Sequence, residues 1–487
     1  MTTTATPESS LAHPDVPRPQ RWPLRLWGVL AVLSLVLFLD GLDVSMVGVA
    51  LPSIGTELHL ATSSLQWIVS GYVLGYGGLL LLGGRTADLL GRRRVFLIAL
   101  AVFAVASLLG GLVDSGPLLI ATRFIKGVSA AFTAPTGLSI ITTTFAEGRM
   151  RNKALSIYTV FGASGYSSGL IFGGLMTGIG WRWTFLMPVP VALIALAAGY
   201  LLLPRGLPTA SGGHDILGAL TSTGAMLLLV YGLVSAPTRG WASPATLALF
   251  AAVIVLLAAF VRVERRVAHP LIRLGILRKG TLVRANLAIV ALFGSYTAFQ
   301  FIVTLYLQDV LGWTPLKMAL ALLPTGLLVA LSAPFAGTMI DRFGTPRFIV
   351  GGLAAMTVGY LLFLRIDTHP LYAVAILPTA ILLGVGFALG FPSINVQATA
   401  GVDDDEQGLA AGLVQTAGQV GAALVLAVTT AIIAGDGRPA RSAADALADY
   451  RPGLVFTTFV AAGGLLMALV PLLLRRRERV PALDEAG

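Results

Sequence analysis

Two short stretches of this chain carry the same pattern of glycine and charged residues, and each joins two long apolar segments. The first covers residues 84–94 and the second covers residues 337–347. Each stretch begins with glycine, has aspartate at its fifth and glycine at its eighth position, and ends with arginine. A short loop between two helices of membrane length, repeated once in each half, indicates two related helical bundles in one chain.

The composition is that of a membrane protein. The chain has 487 residues, of which 56% are hydrophobic and 11% charged, and its mean hydropathy is +0.85, whereas a soluble domain carries about 25% charged residues. Cysteine is absent, which excludes disulfides and thiol chemistry, and the five histidines lack metal-binding spacing, so we expect no metal site. The net charge of +10 comes from short basic loops, which indicate membrane orientation and not a nucleic-acid partner.

Apolar runs long enough to cross the hydrocarbon core, roughly 18–29 residues each, occur fourteen times, and the number of spans is thirteen if one run re-enters the membrane. They lie at about 27–53, 66–84, 95–113, 117–145, 154–178, 182–203, 214–235, 243–263, 282–308, 315–340, 347–366, 370–398, 408–434 and 452–474. An even number of spans places both termini on one side of the membrane. Most lysines and arginines fall on that side, which makes it cytoplasmic. Residues 1–20 are polar and have no apolar segment after a basic start, so we expect no cleaved signal peptide.

We therefore predict an all-α membrane protein with fourteen transmembrane helices, built as two six-helix bundles related by a pseudo-two-fold repeat plus two inserted helices. The predicted divisions are a cytoplasmic tail (1–26), a first bundle (27–203), a linker with two inserted helices (204–280), a second bundle (281–474) and a second cytoplasmic tail (475–487). The inserted helices carry few polar side chains, so we expect them to be peripheral.

The motifs in these helices resemble those of the major facilitator superfamily, and within it the fourteen-span drug:proton antiporters. Residues 84–94 look like the superfamily's loop motif between spans 2 and 3, and residues 43–52, an aspartate followed nine residues later by proline, look like the antiporters' first-span motif. Two further sets fit the motifs of spans 4 and 5, namely Arg123, Gly127, Ala130 and Ala131, and Gly165, Gly169, Gly173 and Gly174.

Two positions depart from the family pattern. Leu170 stands where the antiporter motif normally has a proline, which would bend the helix, and this departure leaves import or facilitated diffusion open as an alternative. Lys126 stands where the span-4 motif normally has an uncharged polar residue, and it adds a charge inside the first bundle.

Four charged residues within the first bundle are candidates for proton coupling. Asp40 and Asp43 are three residues apart on span 1, and Arg123 and Lys126 are three apart on span 4, so each pair shares a helix face. Charges inside a membrane are costly and commonly mark proton paths. We predict an Asp43–Arg123 pair beside an Asp40–Lys126 pair, in which Asp43 exchanges its salt-bridge partner for a proton, whereas Asp40 either takes part in this exchange or only balances Lys126. The alternative is a set of static ion pairs.

Three further sets of residues are assigned to a substrate cavity, a cytoplasmic gate and a helix seam. The cavity candidates are Tyr72, Tyr76, Tyr158 and Phe161 from the first half and Tyr296, Phe299 and Gln300 from the second, although aromatic residues are also ordinary packing material. The gate candidates are Gly84, Asp88, Gly91, Arg92 and Arg94, with Asp341 and Arg347 in the second copy, and these residues also set topology. The glycines Gly165, Gly169, Gly173 and Gly174 give a smooth face, which either packs a neighbouring helix or forms a sliding seam between the bundles.

The resemblance implies a proton-coupled exporter of amphipathic, drug-like compounds in a bacterial cytoplasmic membrane. We assign no catalytic residues and no cofactor, and since no nucleotide-binding loop occurs, the proton gradient is the expected energy source. We expect a monomer whose partners are a small amphipathic molecule and the lipid bilayer. The alternatives are a proton-coupled importer or facilitator of a small solute and, third, a membrane sensor that transports nothing.

Overall fold

A computed structural model of the chain describes residues 22–146, 149–206, 215–267, 274–402, 407–433 and 442–477. Helices account for most of these residues, and no strand occurs in the described ranges. The all-α class is therefore confirmed. Most of the first predicted tail, the greater part of the linker at 204–213 and most of the second tail lie outside the described residues, so the predicted division into segments stays a prediction at these boundaries.

Nine α-helices in the described residues precede the second bundle. They are α1 (Leu24–Glu57), α2 (Thr62–Leu90), α3 (Arg92–Leu112), α4 (Gly116–Thr144), α5 (Arg149–Ile179), α6 (Trp183–Leu186), α7 (Pro188–Leu202), α8 (Ile216–Arg239) and α9 (Pro244–Glu264). The second bundle consists of α10 (Gly280–Leu305), α11 (Pro315–Ser332), α12 (Ala336–Phe343), α13 (Thr345–Phe363), α14 (Leu377–Thr399), α15 (Gln407–Ile433) and α16 (Ala443–Arg477). Single π-helical turns, Tyr306–Val310 and Tyr372–Ile376, extend α10 and precede α14.

Twelve helical segments in the described residues are long and apolar enough to cross a membrane. Helices α2 and α5, with 29 and 31 residues, occupy the places of the second and fifth predicted spans but are not among those twelve. The count of fourteen spans therefore stays a prediction for these two helices.

Proline breaks only some of the predicted spans. The sixth span divides into α6 and α7 at Pro188, and the tenth divides into α11 and α12 through a short 3-10 turn that contains Pro334. By contrast, Pro135, Pro324 and Pro392 lie inside continuous helices. Neighbouring helices in a membrane bundle can satisfy the carbonyl groups that proline frees, so proline alone does not predict a break.

The helices α1–α7 form one bundle and α10–α16 form the other. Helix α8 pairs with α9, and it also packs against α2 of the first bundle and α15 of the second. A small apolar cluster joins these three helices through Val73 of α2, Val230 and Val234 of α8, and Ala423 of α15. The inserted pair was expected to be peripheral, and this stays a prediction. Helix α9 packs mainly on α8, whereas α8 contacts both bundles through α2 and α15.

The two bundles are packed together more closely at one end of the molecule. We call the end where α1 begins the terminal end and the opposite one the far end. At the far end a single apolar core contains Val47 and Ile54 of α1 together with Leu305 and Met318 of the second bundle. At the terminal end the first bundle has a core of its own, which includes Leu33 of α1. The interface between the bundles is thus sealed by apolar side chains at the far end.

Candidate functional site

A cluster of charged side chains lies at the centre of the first bundle. Helix α1 carries Asp43, and one turn of α4 carries Arg123 and Lys126, which donate to different oxygens of the Asp43 carboxylate. All three side chains are at most 2% exposed. The predicted Asp43–Arg123 pair is present, and the carboxylate holds a second cation as well.

Neighbouring helices complete the surroundings of the two cations. Arg123 Nε donates to the carbonyl oxygen of Ile68 at 3.2 Å, and its guanidinium lies 4.8 Å from the centre of the Tyr72 ring. Lys126 Nζ donates to Ser107 Oγ at 2.8 Å and lies 4.6 Å from the ring of Phe103. An aromatic face attracts a cation most strongly where water is excluded, so these rings help to hold both charges inside the bundle.

Asp40 lies apart from this cluster. Its carboxylate accepts a hydrogen bond from Thr133 Oγ1 at 3.2 Å, and it forms no ion pair with a described cation. The expected Asp40–Lys126 pair is therefore wrong. Ser107 and the ring of Phe103 hold the ammonium group of Lys126 beside Asp43, whereas Asp40 lies level with Thr133, about two turns further along α4.

Aromatic side chains meet where the middle parts of the two bundles face each other. The rings of Tyr166 on α5 and Tyr296 on α10 lie 6.1 Å apart across the interface. Tyr296 also contacts Phe387 of α14 at 4.7 Å, and Phe391, one turn further along α14, lies 5.7 Å from Phe293. Tyr296 is buried and the other four rings are partly buried. Together they form an apolar surface, which we call the aromatic surface: Tyr166, Phe293, Tyr296, Phe387 and Phe391.

The predicted cavity residues fall into several environments. Tyr296 belongs to the aromatic surface, and Tyr76 is partly buried with its ring 5.9 Å from that of Tyr72. Gln300 Nε2 is buried with no hydrogen-bond partner among the described residues, which makes it a free donor near the interface. Phe161 is 41% exposed.

Three predicted cavity residues are packing residues instead. Phe299 is wrong as a cavity residue because it is 1% exposed and packs inside the second bundle, 5.0 Å from the ring of Tyr360 and 4.9 Å from that of Phe363. Tyr158 belongs to the separate core of the first bundle, and Tyr72 is buried against Arg123. Phe387 and Phe391 were missed, although two phenylalanines four residues apart within one predicted span share a helix face.

Among the described residues, side-chain hydrogen bonds from Gln308 and Ser167 to backbone carbonyl groups cross between the bundles. Gln308 Nε2, in the π-helical turn after α10, donates to the carbonyl oxygen of Val49 at 2.8 Å. Ser167 Oγ on α5 donates to the carbonyl oxygen of Gly326 on α11, also at 2.8 Å. Gln308 was not predicted from the sequence, and single π turns are frequent at functional sites.

The span-5 glycines serve mainly to pack α5 against α1. A Cβ at Gly169 would overlap Ser45 and Leu42, and one at Gly173 would lie 2.9 Å from Cα of Met46. Gly165 likewise faces the backbone of Phe38. Only Gly174 meets the other bundle, where a Cβ would lie 2.7 Å from Cα of Leu316. The assignment to a seam between the bundles is therefore wrong for the first three glycines, because the face of α5 that carries them is turned towards α1.

The repeated loops have the same backbone at their second glycine. Gly91 and Gly344 have φ of 95° and 81°, which only glycine adopts readily, and each lies between two helices. Gly84 is partly buried near Pro135. Arg92 is partly buried, and Arg94 and Arg347 are exposed. The side chains of Asp88 and Asp341 lie outside the described part of the chain, so the gate assignment stays a prediction.

The arginine between Arg92 and Arg94 was not predicted to have a role, yet it is fixed in the structure. Arg93 donates to the carbonyl oxygen of Tyr200 on α7 at 2.6 Å, and its guanidinium lies 5.2 Å from the Tyr200 ring. This side chain bridges α3 and α7 at the terminal end. In the described ranges, no three histidine, aspartate or glutamate side chains come together in a way that could hold a metal ion.

Paired helical bundles that enclose buried charges and an aromatic surface define a membrane transporter. A model of the Major Facilitator Superfamily matches residues 33–426, and the chain belongs to this superfamily. It is a multi-pass membrane protein and not an enzyme.

Several known proteins are similar along nearly the whole chain. The puromycin resistance protein of Streptomyces alboniger is 37% identical over 97% of this chain and 94% of its own. The cephamycin export protein of Amycolatopsis lactamdurans is 35% identical over 90% of this chain and 91% of its own. Among solved structures, the nucleoside transporter NupG has a TM-score of 0.66 at 14% identity and covers 91% of this chain and 100% of its own, which shows the shared fold alone.

Proposed function

We propose that this chain exports amphipathic, drug-like small molecules from a bacterial cell in exchange for protons, by alternating access across the cytoplasmic membrane. Two relatives of nearly full length are named for puromycin resistance and for cephamycin export. The aromatic surface between the bundles supports a substrate with a large apolar part, because aromatic rings provide a broad contact area that tolerates many ligand orientations. The amide nitrogen of Gln300, which has no hydrogen-bond partner among the described residues, adds a polar contact for such a substrate.

The observation that carries proton coupling is the difference between the two acids of α1. Asp43 is neutralised by two buried cations, whereas Asp40 accepts one hydrogen bond from a hydroxyl group and has no described cation beside it. A buried carboxylate without a cation is stable only if it takes up a proton or gains access to water. We therefore assign the exchangeable proton to Asp40, and the triad of Asp43, Arg123 and Lys126 fixes the charge balance around it.

We further propose that both termini lie in the cytoplasm, because the loops on their side hold most of the lysines and arginines. With this orientation the far end, where one apolar core joins the two bundles, faces outward, and the end where the first bundle has a core of its own faces the cytoplasm. One chain supplies both bundles, so a monomer suffices for transport.

The repeated loops are proposed as the cytoplasmic gate. In the outward-facing state, Asp88 and Arg92 would hold the terminal ends of the bundles together, with Asp341 and Arg347 in the equivalent places of the second bundle. Asp88→Asn should then slow turnover and leave ligand affinity unchanged, because the loop is remote from the aromatic surface.

The proton assignment is tested in proteoliposomes that hold the purified protein, with puromycin as the transported probe and an imposed pH gradient. Asp40→Asn should abolish accumulation against the puromycin gradient and retain exchange of labelled for unlabelled puromycin, and Asp40→Glu should restore accumulation. Thr133→Val, which removes the hydrogen bond but not the acid, is the matched control and should retain coupling. Uphill transport by Asp40→Asn at the wild-type rate would show that another group carries the proton.

The same experiment separates the alternative functions. Puromycin movement in the same direction as protons would favour an importer, which the Leu170 departure from the antiporter motif leaves open. Movement that follows only the puromycin gradient, with no response to pH, would favour a facilitator. A protein that neither exchanges nor accumulates any compound of a broad panel would be a sensor.

A further inference from the structure

A cavity of about 310 Å³ lies at the terminal end of the second bundle. It is enclosed by α10, α13, α14 and α16, and its wall includes the second glycine of the repeated loop, Gly344. Polar groups come from Thr281, Arg284 and Gln397, and apolar groups from Leu287 and Met467. One side of the cavity is therefore cationic and polar, and the other is apolar.

The internal repeat shows what fills the equivalent place in the first bundle. There, Arg93 bridges α3 and α7, with its guanidinium on the carbonyl group and the ring of Tyr200. Arg93 is the tenth residue of its loop copy, and the tenth residue of the second copy is Pro346, which lines the cavity. At the position from which Arg93 bridges two helices of the first bundle, the second bundle therefore has a proline, which makes no such bridge, and a cavity lies beside it.

The position of the cavity limits what could occupy it. Helices α10 and α13 begin beside it at Gly280 and Thr345, so it lies where the helices enter the membrane. Leu287 and Met467 are each 45% exposed, and exposed apolar side chains on a membrane-embedded helix face lipid. An occupant must therefore present a polar, negatively charged part to Arg284 and an apolar part to the neighbouring helix surfaces.

We propose that this cavity binds an anionic phospholipid of the leaflet at the terminal end. The guanidinium of Arg284 pairs with the phosphodiester group, since arginine matches phosphate geometry through charge-assisted hydrogen bonds. The acyl chains follow the surface of α10 and α16 past Leu287 and Met467. Basic pockets between transmembrane helices on the cytoplasmic side suit anionic headgroups. The lipid would replace, for the second bundle, the bridge that Arg93 makes in the first.

This site is independent of the transported substrate and of proton coupling. It requires only that the protein lies in a membrane, so it can be tested by binding without a transport assay. The assay measures the melting temperature of the purified full-length protein in detergent, with added phosphatidylglycerol, with added phosphatidylcholine, and with inorganic phosphate. Phosphatidylglycerol should raise the melting temperature, and the other two should have little effect.

Three variants test the residues. Arg284→Gln should weaken phosphatidylglycerol binding at least about tenfold, because a hydrogen bond to a charged group is lost. Pro346→Arg should also abolish the lipid effect, because it supplies the side chain that occupies this place in the first bundle. Ala468→Phe should narrow the apolar wall and reduce the effect without changing the charge. Arg205→Gln, which removes an exposed charge outside the cavity at the same end, should behave like the wild type.

The melting-temperature shifts either support the lipid site or overturn it. A shift that phosphatidylglycerol produces in the wild type and in Arg205→Gln, and that is lost in Arg284→Gln and Pro346→Arg, supports the lipid site. An equal shift with inorganic phosphate would overturn it in favour of a simple anion site. Equal shifts with phosphatidylcholine, or an undiminished shift in Arg284→Gln, would also overturn it.

Discussion

Removal of Asp43 and removal of Lys126 should have very different effects on stability. Asp43→Asn leaves two cations in contact inside the first bundle with no negative charge between them. Lys126→Met leaves the neutral pair of Asp43 and Arg123, and the hydroxyl group of Ser107 keeps its own bond to the carbonyl oxygen of Phe185 at 2.9 Å. The sequence alone predicted two separate ion pairs, one for each aspartate. In the structure, Asp43 forms ion pairs with both Arg123 and Lys126.

The expected magnitudes follow from this geometry. Breaking a buried ion pair by removing one partner costs about 3–5 kcal/mol, and Asp43→Asn removes the partner of two cations. Two cations that share one carboxylate lie roughly 4–5 Å apart. Once the carboxylate is removed, they repel each other by about 3–4 kcal/mol at an effective dielectric constant of about 20. For Lys126→Met we expect the stability of the protein to fall by only about 0–2 kcal/mol. The hydrogen bond that is lost is offset because an apolar methionine is buried in place of an ammonium group.

The stability of the double variant shows whether the effects of the two substitutions are additive. Asp43→Asn combined with Lys126→Met should be more stable than Asp43→Asn alone, because the second change removes the repulsion. Melting temperatures and reversible unfolding in detergent would measure the order, with Lys317→Met, at an exposed lysine, as the control for the substitution itself. A Lys126→Met protein as unstable as Asp43→Asn, or a double variant no better than Asp43→Asn, would refute the central role of Asp43.

Three further predictions concern the interface between the bundles. Gly174→Leu should block transport by forcing α5 away from α11, whereas Gly178→Leu, where a Cβ meets nothing within 4 Å, should transport normally. Phe387→Ala should lower ligand affinity and keep the melting temperature, whereas Phe299→Ala should cost about 3–5 kcal/mol of stability and leave the affinity of the folded protein unchanged. Gln308→Leu should raise the population that is open at the far end about fivefold, since a hydrogen bond is worth about 1 kcal/mol. Labelling of cysteines introduced at the far end would measure this population, and no native cysteine interferes.

The repeated loops and the charged residues could be read from the sequence because both are local patterns. Spacing alone places Asp40 and Asp43 on one face of α1, and the repeated pattern sets Gly91 and Gly344 at equivalent positions in the two loops. The apolar runs likewise predict most of the helices within a few residues. These features depend on helix periodicity and on the backbone freedom of glycine, and neither requires knowledge of the neighbouring helices.

Pairings between helices were predicted less well, because they depend on how each helix is rotated. Lys126 contacts Asp43 and not Asp40 because Ser107 on α3 holds the ammonium group there. Phe299 was assigned to the cavity and is buried inside the second bundle, whereas Phe387, on a helix with no predicted site residue, belongs to the aromatic surface. A residue's spacing gives its face of the helix, but only the packing of the whole bundle shows what that face meets.

The contacts between the bundles have a consequence for the proposed alternating access. Gly165, Gly169 and Gly173 bring α5 so close to α1 that we expect these two helices to move together, so the rocking motion of the proposed alternating access would occur between the bundles. Along that interface, Gln308 and Ser167 each donate one hydrogen bond to a backbone carbonyl group of the other bundle, and each bond is worth about 1 kcal/mol net. The charged triad lies wholly within the first bundle, so a rocking motion leaves its ion pairs intact. In the proposed mechanism, protonation of Asp40 would therefore change the balance between the two states without any need to break a buried salt bridge.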